Sequence, residues 1–375
     1  MEEQWKVHNP EGRHRVVATK RLLGDRWIKV LTDADCRLEV CDSDLILSKQ
    51  EIVAAIGKRC EGAIGQLSET WDKEIFSALK SAGGRAYSNY GVGYNNVDVA
   101  AATMLGIPVG NTPGVLTGAT AELAVALTFA AARRITEGDA FVRRGEFSGW
   151  KLQLLLGELI GRKTLGVVGV GRIGSAYARM MVEGYRMNLI YLGRRRNEAL
   201  EASINSFNEY LNRIGEKPVQ FRRAETIEDL LQESDIVSLH TTLNESTRYL
   251  LDAGRLALMK NNAVLVNVSR GPVIDEQALV EHCRRNPEFK VGLDVYEEEP
   301  KLKPGLDELA NVVLLPHVGS ATYWTRESMS VIAARNVAAI LSGYPVWKRE
   351  DVEVFLGDDV PQAAPSIINA ENLGL

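Results

Sequence analysis

The sequence predicts an α/β protein built as two doubly wound, parallel-sheet domains. Three observations carry this expectation. Short apolar runs alternate with helical patterns along most of the chain, which implies mainly parallel sheets covered by helices on both faces. The length of 375 residues exceeds one typical core and suggests two domains. Residues 165–196 join an apolar strand, a Gly-x-Gly-x-x-Gly turn opening a helix, and a second apolar strand. A dinucleotide-binding unit needs that arrangement.

Taken in order, strands are expected at 27–32, 37–41, 62–67, 86–89 and 108–110, with helices between them at 51–56 and 73–81. Residues 120–144 are alanine-rich, apolar on much of their surface and basic near the end, so they are expected to form one long linking helix. A loop-rich approach at 145–163 leads into the glycine turn. Further strands follow at 236–240, 264–268, 291–295 and 312–315, then a last helix at 327–341 and a Pro/Gly/Asp-containing tail at 343–375. No internal repeat or low-complexity block interrupts this order.

Composition narrows the function classes. The chain is 45% hydrophobic and 25% charged, with a formal net charge of −5, so nothing draws it to nucleic acid or to acidic membranes. Cys36, Cys41, Cys60 and Cys283 show no CxxC spacing and are expected to be reduced structural thiols. No apolar run reaches the ~20 residues a membrane helix requires. The first residues mix Glu2, Glu3 and Glu11 with basic residues, unlike a transit peptide. Asn372-Leu373-Gly374-Leu375 does not form a peroxisomal Ser-Lys-Leu signal, so a cytoplasmic location is expected.

Within the glycine turn, Gly169 permits the tight bend, Gly171 lets backbone approach a pyrophosphate, and Gly174 allows close helix–strand packing. Arg172 and Ile173 open the helix, whose N–H groups face the phosphates. An NAD site places Asp or Glu at the end of the second strand to hold the ribose 2′-OH. Here that position is Gly193, followed by Arg194, Arg195 and Arg196. Guanidinium groups clamp a 2′-phosphate that a carboxylate would repel. NADP(H) is therefore the expected cofactor, with NAD(H) as the second option. The plainer alternative for the three arginines is a solvated basic turn.

Three polar residues follow successive strands of the same unit. Arg270 comes after the apolar run ending at Val268, Glu299 lies beyond Gly292-Leu293-Asp294-Val295-Tyr296, and His317 follows Val312–Pro316. Carboxyl ends of strands face the ligand crevice in a doubly wound sheet, so the three are expected to converge there. Reduction of a 2-oxo acid by hydride needs such a set. Histidine can protonate the developing alkoxide near neutral pH. A carboxylate fixes its tautomer and favours the protonated ring. Arginine can bind the substrate carboxylate, polarise the ketone, or do both. Each residue alone reads more simply as structural; their joint placement reverses that. His8, His14 and His282 are expected at the surface, and His240 either lines an adenine pocket or caps the sheet. No cluster has metal-ligand spacing, so no metal is expected. No Ser/His/Asp set sits on a nucleophile elbow.

These motifs resemble the D-isomer-specific 2-hydroxyacid dehydrogenases over nearly the whole chain. Beyond the glycine turn, the resemblance rests on Asn111-Thr112-Pro113-Gly114-Val115-Leu116, Ser269-Arg270-Gly271-Pro272, Gly292-Leu293-Asp294-Val295 through Glu299-Pro300, and Pro316-His317-Val318-Gly319-Ser320. Within the family it is strongest toward the hydroxypyruvate reductases of photosynthetic organisms, through Val92-Gly93-Tyr94-Asn95-Asn96-Val97-Asp98-Val99, residues 174–191 and Pro365-Ser366-Ile367-Ile368.

The resemblance implies reduction of hydroxypyruvate to D-glycerate, with glyoxylate as a second substrate, and Arg270, Glu299 and His317 as the catalytic set. It implies that the N–H groups of Val92 and Gly93 hold the substrate carboxylate, with Arg270 and His317 also touching substrate. Further cofactor contacts are implied at Thr120, His240, Thr242, Thr247, Val268, Ser269, Arg270, Asp294, His317 and Gly319. The implied layout is a flavodoxin-like substrate domain (1–119 and 323–375) around an inserted Rossmann cofactor domain (120–322). A homodimer built largely by residues 120–150 is implied as well. Trp150 and Trp324 are candidates to line the substrate pocket, or else packed or interface tryptophans.

Three departures stand out. Plant members carry Asp at the Gly193 position and favour NADH, whereas the chain resembles NADPH-using members there. Plant members continue to a peroxisomal tripeptide absent here, and the family's usual proline after His240 is Thr242. Other readings are weaker. Formate dehydrogenases place Gln where Glu299 stands, the tail is short for a phosphoglycerate dehydrogenase, and a dinucleotide-sensing corepressor lacks support from a basic tail.

Overall fold

The computed structural model describes residues 5–375. In chain order its strands and helices begin with β1 (Trp5–His8), β2 (His14–Ala18), α1 (Arg26–Asp33), β3 (Cys36–Cys41), α2 (Lys49–Ile56) and β4 (Gly62–Gln66). Next come α3 (Lys73–Ser81), β5 (Ala86–Tyr90), α4 (Val99–Met104), β6 (Val109–Gly110), α5 (Thr117–Ala132) and α6 (Ile135–Arg143). Then follow β7 (Thr164–Val168), α7 (Arg172–Tyr185), β8 (Asn188–Leu192), α8 (Glu198–Arg213), β9 (Phe221–Arg223), α9 (Ile227–Glu233) and β10 (Ile236–Leu239). The series closes with α10 (Ala253–Leu256), β11 (Val264–Asn267), α11 (Glu276–Arg285), β12 (Lys290–Leu293), β13 (Val312–Leu314), α12 (Tyr323–Leu341) and α13 (Ala370–Leu373). Two compact units result, one from residues up to Leu116 together with Ser320–Leu375, the other from Thr117–Gly319.

The first unit holds a six-stranded sheet in the order β1-β3-β2-β4-β5-β6. Strands β2 to β6 run parallel, and β1 closes the edge antiparallel to β3. The order of the parallel strands is flavodoxin-like. The Trp71 and Tyr87 rings lie 4.2 Å apart at a tilt of 37° and Phe76 meets Tyr87 edge-on at 5.3 Å, filling the core on one face. On the other, α12 lies so close to β4 that a Cβ at Gly62 would stand 2.7 Å from Val337. Thr322 caps α12 by accepting from the Thr325 N–H, which starts the helix four residues before the position the sequence suggests.

The second unit holds a seven-stranded parallel sheet in the order β13-β12-β11-β10-β7-β8-β9. Its strands pair in parallel throughout. This is the doubly wound dinucleotide-binding order with one strand added. One face packs α5, α7 and α8 through residues such as Leu127, Tyr177 and Ile204. The opposite face packs α9, α10 and α11 through Leu230, Leu256 and Leu279.

Several expectations need correction. Residues 27–32 form helix α1, not a strand: Trp27 and Leu31, four residues apart, are its buried residues, so the burial period is helical. The expected single helix at 120–144 is two helices, because Arg134 sits in the left-handed region (φ 53°) and breaks the ladder. Strands β1 and β2 have no counterpart among the expected elements; β1 is a polar edge strand whose residues are only partly covered. His282 is not a surface residue, since its ring meets Phe289 edge-on at 4.6 Å. Among the described residues no helix is long and apolar enough to cross a membrane, and all four cysteines are buried free thiols.

Candidate active site

Three neighbouring strands deliver the polar set. β11, β12 and β13 lie side by side in parallel, so the loops after their carboxyl ends share one edge of the sheet. Asn267 ends β11 and pins the turn carrying Arg270: its Oδ1 accepts from the Ser269 N–H and hydroxyl, and its Nδ2 donates to the Arg270 carbonyl. The Arg270 guanidinium donates to the Ser269 carbonyl at 2.7 Å. Burial lowers its pKa, and the nearby Glu299 charge opposes that shift.

The Glu299 carboxylate bonds the Nδ1 edge of His317 at 2.8 Å and accepts from the Tyr296 N–H at 3.0 Å. Burial pushes the Glu299 pKa up, but the His317 hydrogen bond and charge, the Tyr296 N–H and the Arg270 charge together hold it below the usual glutamate value. Two of these neighbours of Glu299, His317 and Arg270, thus belong to the expected set. His317 itself sits at φ 52°, a conformation that is uncommon outside glycine. Asp294 stabilises this loop by accepting from the Val318 and Gly319 N–H groups at 2.7 and 2.8 Å. Burial raises the Asp294 pKa against those two bonds. A Cβ at Gly319 would stand 3.1 Å from Asp294 and 3.4 Å from the Thr120 methyl, so those three residues form one close cluster.

At the other end of the site, Gly169 adopts φ 92°, and a Cβ there would strike the His240 carbonyl at 2.7 Å. A Cβ at Gly174 would lie 2.0 Å from the Gly169 carbonyl, which shows how tightly α7 approaches the turn. A Cβ at Gly171 would meet open space, and no side chain caps α7 there. This 14-residue helix begins at Arg172 and Ile173, directly after the glycine turn.

The turn after β8 separates the arginines. Arg196 pairs with Glu201, which also accepts from the Tyr191 hydroxyl, whereas no such pair engages Arg194 or Arg195 among the ion pairs of the described residues. Both remain exposed. Arg223, at the end of β9, donates to the Gly193 carbonyl at 2.9 Å and the Arg194 carbonyl at 3.4 Å. Sequence reasoning missed this cation because β9 is only three residues long.

The remaining implied residues are distributed as follows. The His240 side chain packs against Tyr177, ring centroids 5.0 Å apart, and its Nε2 meets the Ser238 hydroxyl at 2.8 Å. Its imidazole therefore lies in the layer between sheet and α7, and burial drives its pKa down to about 3. Thr247 donates to the Thr242 carbonyl at 2.7 Å, tying the loop after β10. Val268 and Ser269 are buried beside Arg270, while Trp150 and Trp324 are exposed. Val92 and Gly93 lie in the loop after β5 of the first unit. No group of three His, Cys, Asp or Glu residues among the described residues could hold a metal ion.

Known proteins resemble the chain throughout. Residues 125–319 match the family model of the D-isomer specific 2-hydroxyacid dehydrogenase NAD binding domain. The glycerate dehydrogenase of Cucumis sativus is 52% identical over 375 residues, covering 99% of this chain and 98% of that protein. A solved Thermus thermophilus protein superposes with TM-score 0.78 at 35% identity, covering 94% of this chain and 99% of its own. An NADPH-dependent glyoxylate/hydroxypyruvate reductase from Sinorhizobium meliloti, solved with NADP and malonate, gives TM-score 0.71 at 27% identity, covering 89% and 95%.

Proposed function

The chain belongs to the D-isomer-specific 2-hydroxyacid dehydrogenases, and on that premise we propose that it reduces hydroxypyruvate to D-glycerate, with glyoxylate as a second substrate. The observation that carries this is the Glu299–His317 hydrogen bond, with the Arg270 charge felt at the same carboxylate. A reduced nicotinamide dinucleotide, when bound, supplies the hydride that adds to C2.

The chain's own groups do the rest. Arg270 draws negative charge toward itself and so polarises the ketone oxygen. With Nδ1 bonded to Glu299, His317 keeps Nε2 for the substrate oxygen and gives it a proton as the alkoxide forms. Glu299 steadies the imidazolium that precedes that transfer. Asp294 holds the loop that presents His317. The N–H groups of Val92 and Gly93 are assigned to the substrate carboxylate.

We assign NADP(H) as the preferred cofactor and NAD(H) as the poorer one. Gly171 and the open start of α7 suit the pyrophosphate, and Arg194 and Arg195 suit a 2′-phosphate. Arg223, bonded beneath the same turn, adds a third positive charge. A homodimer is assigned to the segment around α6, where Ile135, Val142, Phe147, Trp150, Leu152 and Leu156 are exposed. Four unpaired buried thiols fit a reducing compartment, and the cytoplasm is the location we assign.

Steady-state rates with NADPH and NADH against hydroxypyruvate, glyoxylate and pyruvate test the reading. The highest kcat/KM is expected for NADPH with hydroxypyruvate. Absence of NAD(P)H oxidation with all three acids would refute it.

A further inference from the structure

The sequence motifs Asn111-Thr112-Pro113 and Pro365-Ser366-Ile367 have no part in the hydride step, yet the first unit joins them at one buried point. Asn111 follows β6 and is buried. Its Nδ2 donates to the Val92 carbonyl at 2.9 Å, and its Oδ1 accepts from the Ser366 hydroxyl at 2.6 Å. The Asn111 carbonyl accepts from Asn336 Nδ2 on α12, also at 2.9 Å, while Asn336 Oδ1 accepts from the Ser366 N–H at 2.9 Å. Next in the chain, the Thr112 N–H donates to the Gly91 carbonyl at 3.0 Å.

These bonds fix two consecutive peptide planes. In a trans peptide the carbonyl of one residue and the N–H of the next point in opposite directions. Thr112, holding the Gly91 carbonyl, therefore sets the direction of the Val92 N–H. Asn111, holding the Val92 carbonyl, sets that of the Gly93 N–H. Neither N–H donates to another group among the described residues. Ser366 adds a further constraint: by donating to Oδ1, its hydroxyl decides which way the Asn111 amide faces, and so keeps Nδ2 on the Val92 carbonyl.

We infer that Asn111 and Ser366 are positioning residues for the substrate carboxylate, orienting the paired N–H groups of Val92 and Gly93 from the far side of the loop. The inference rests on the reading that those two N–H groups bind the carboxylate. It places the C-terminal tail behind substrate affinity, although Ser366 itself touches no substrate. Asn111→Asp keeps the shape but sets an oxygen against the Val92 carbonyl, which turns the peptide away. Ser366→Ala frees the amide to flip, and Ser366→Thr keeps a hydroxyl there.

The test uses the full-length enzyme and measures KM and kcat for hydroxypyruvate together with KM for NADPH. Loss of well-aimed N–H groups on a carboxylate is expected to raise the hydroxypyruvate KM about tenfold in Asn111→Asp. Ser366→Ala should raise it severalfold, with kcat and the NADPH KM near the parent values, and Ser366→Thr should restore it. Gly93→Pro, which deletes one N–H outright, separates the two levels. If Gly93→Pro raises the hydroxypyruvate KM while Asn111→Asp and Ser366→Ala leave it unchanged, the positioning role is overturned and the carboxylate site stands. If Gly93→Pro also leaves it unchanged, the carboxylate site falls and the positioning role with it. Parallel losses in both substrates' KM with no rescue by Ser366→Thr would assign these residues to folding alone and overturn the inference.

Discussion

Nδ1 of His317 lies 2.8 Å from Oε2 of Glu299, joining the loops that leave two adjacent strands. The carboxylate sits below its ordinary pKa, burial being outweighed by the His317 bond and charge, the Tyr296 N–H and Arg270. It is therefore ionised throughout the neutral range. Glu299→Gln removes that charge and should narrow the hydroxypyruvate-reduction profile by drawing in its alkaline limb. The kcat/KM profile from pH 5 to 9 measures this, and an unmoved limb would count against the pairing. A depressed carboxylate also adds stability above the normal glutamate range that is lost as pH falls through its folded value. At this partly exposed position that contribution is small.

His240 gives a second pH dependence of different origin. Burial lowers its pKa from 6.5 to about 3. Between those values the unfolded chain takes up a proton that the folded chain refuses, so stability falls as pH drops below 6.5. The loss should be about 2 kcal/mol at pH 5. His240→Gln removes the titration, and urea midpoints at pH 7 and pH 5 should then differ less than in the parent. Equal differences in both proteins would refute the buried neutral imidazole.

Arg194 and Arg195 are exposed on the β8 turn, beside Arg196, which is exposed too but paired with Glu201. Arg194→Ala combined with Arg195→Ala should raise the KM for NADPH at least tenfold and leave that for NADH nearly unchanged, since one charged hydrogen bond contributes roughly 1.5–3 kcal/mol. Initial rates at varied cofactor concentration measure it. Equal effects on both cofactors would sink the 2′-phosphate clamp.

Gly193 stands where an NAD site carries its ribose-binding carboxylate. A Cβ there would lie 3.0 Å from the Val170 methyl and 3.2 Å from the Arg195 carbonyl, so a side chain requires both to give by a few tenths of an ångström. Gly193→Asp should lower kcat/KM for NADPH by at least about tenfold through charge repulsion, and raise the NADH to NADPH ratio accordingly. An unchanged ratio would show that this position does not read the 2′ group.

The glycine turn and the three active-site residues were legible because both follow from strand ends, and strand ends can be found from apolar runs. The directions of amide groups were not. Nothing in the sequence says that Asn111 faces Val92 or that Arg196 turns back to Glu201, since both depend on tertiary neighbours. Helix α1 was misread because Trp27, Ile28, Val30 and Leu31 form a short apolar run that fits either period. The break at Arg134 was hidden because its left-handed backbone is held by a bidentate pair with Glu137 and not by a glycine. Arg223 was invisible for a related reason: its strand is too short to leave a pattern, and only the fold brings it under Gly193.

The most direct measurement is NADPH oxidation with hydroxypyruvate by His317→Ala, alongside the dissociation constant for NADPH from protein fluorescence. Loss of the proton donor should lower kcat by roughly 10²–10⁴-fold while NADPH binds as in the parent. Turnover within a few-fold of the parent would contradict proton delivery by His317 and with it the proposed mechanism.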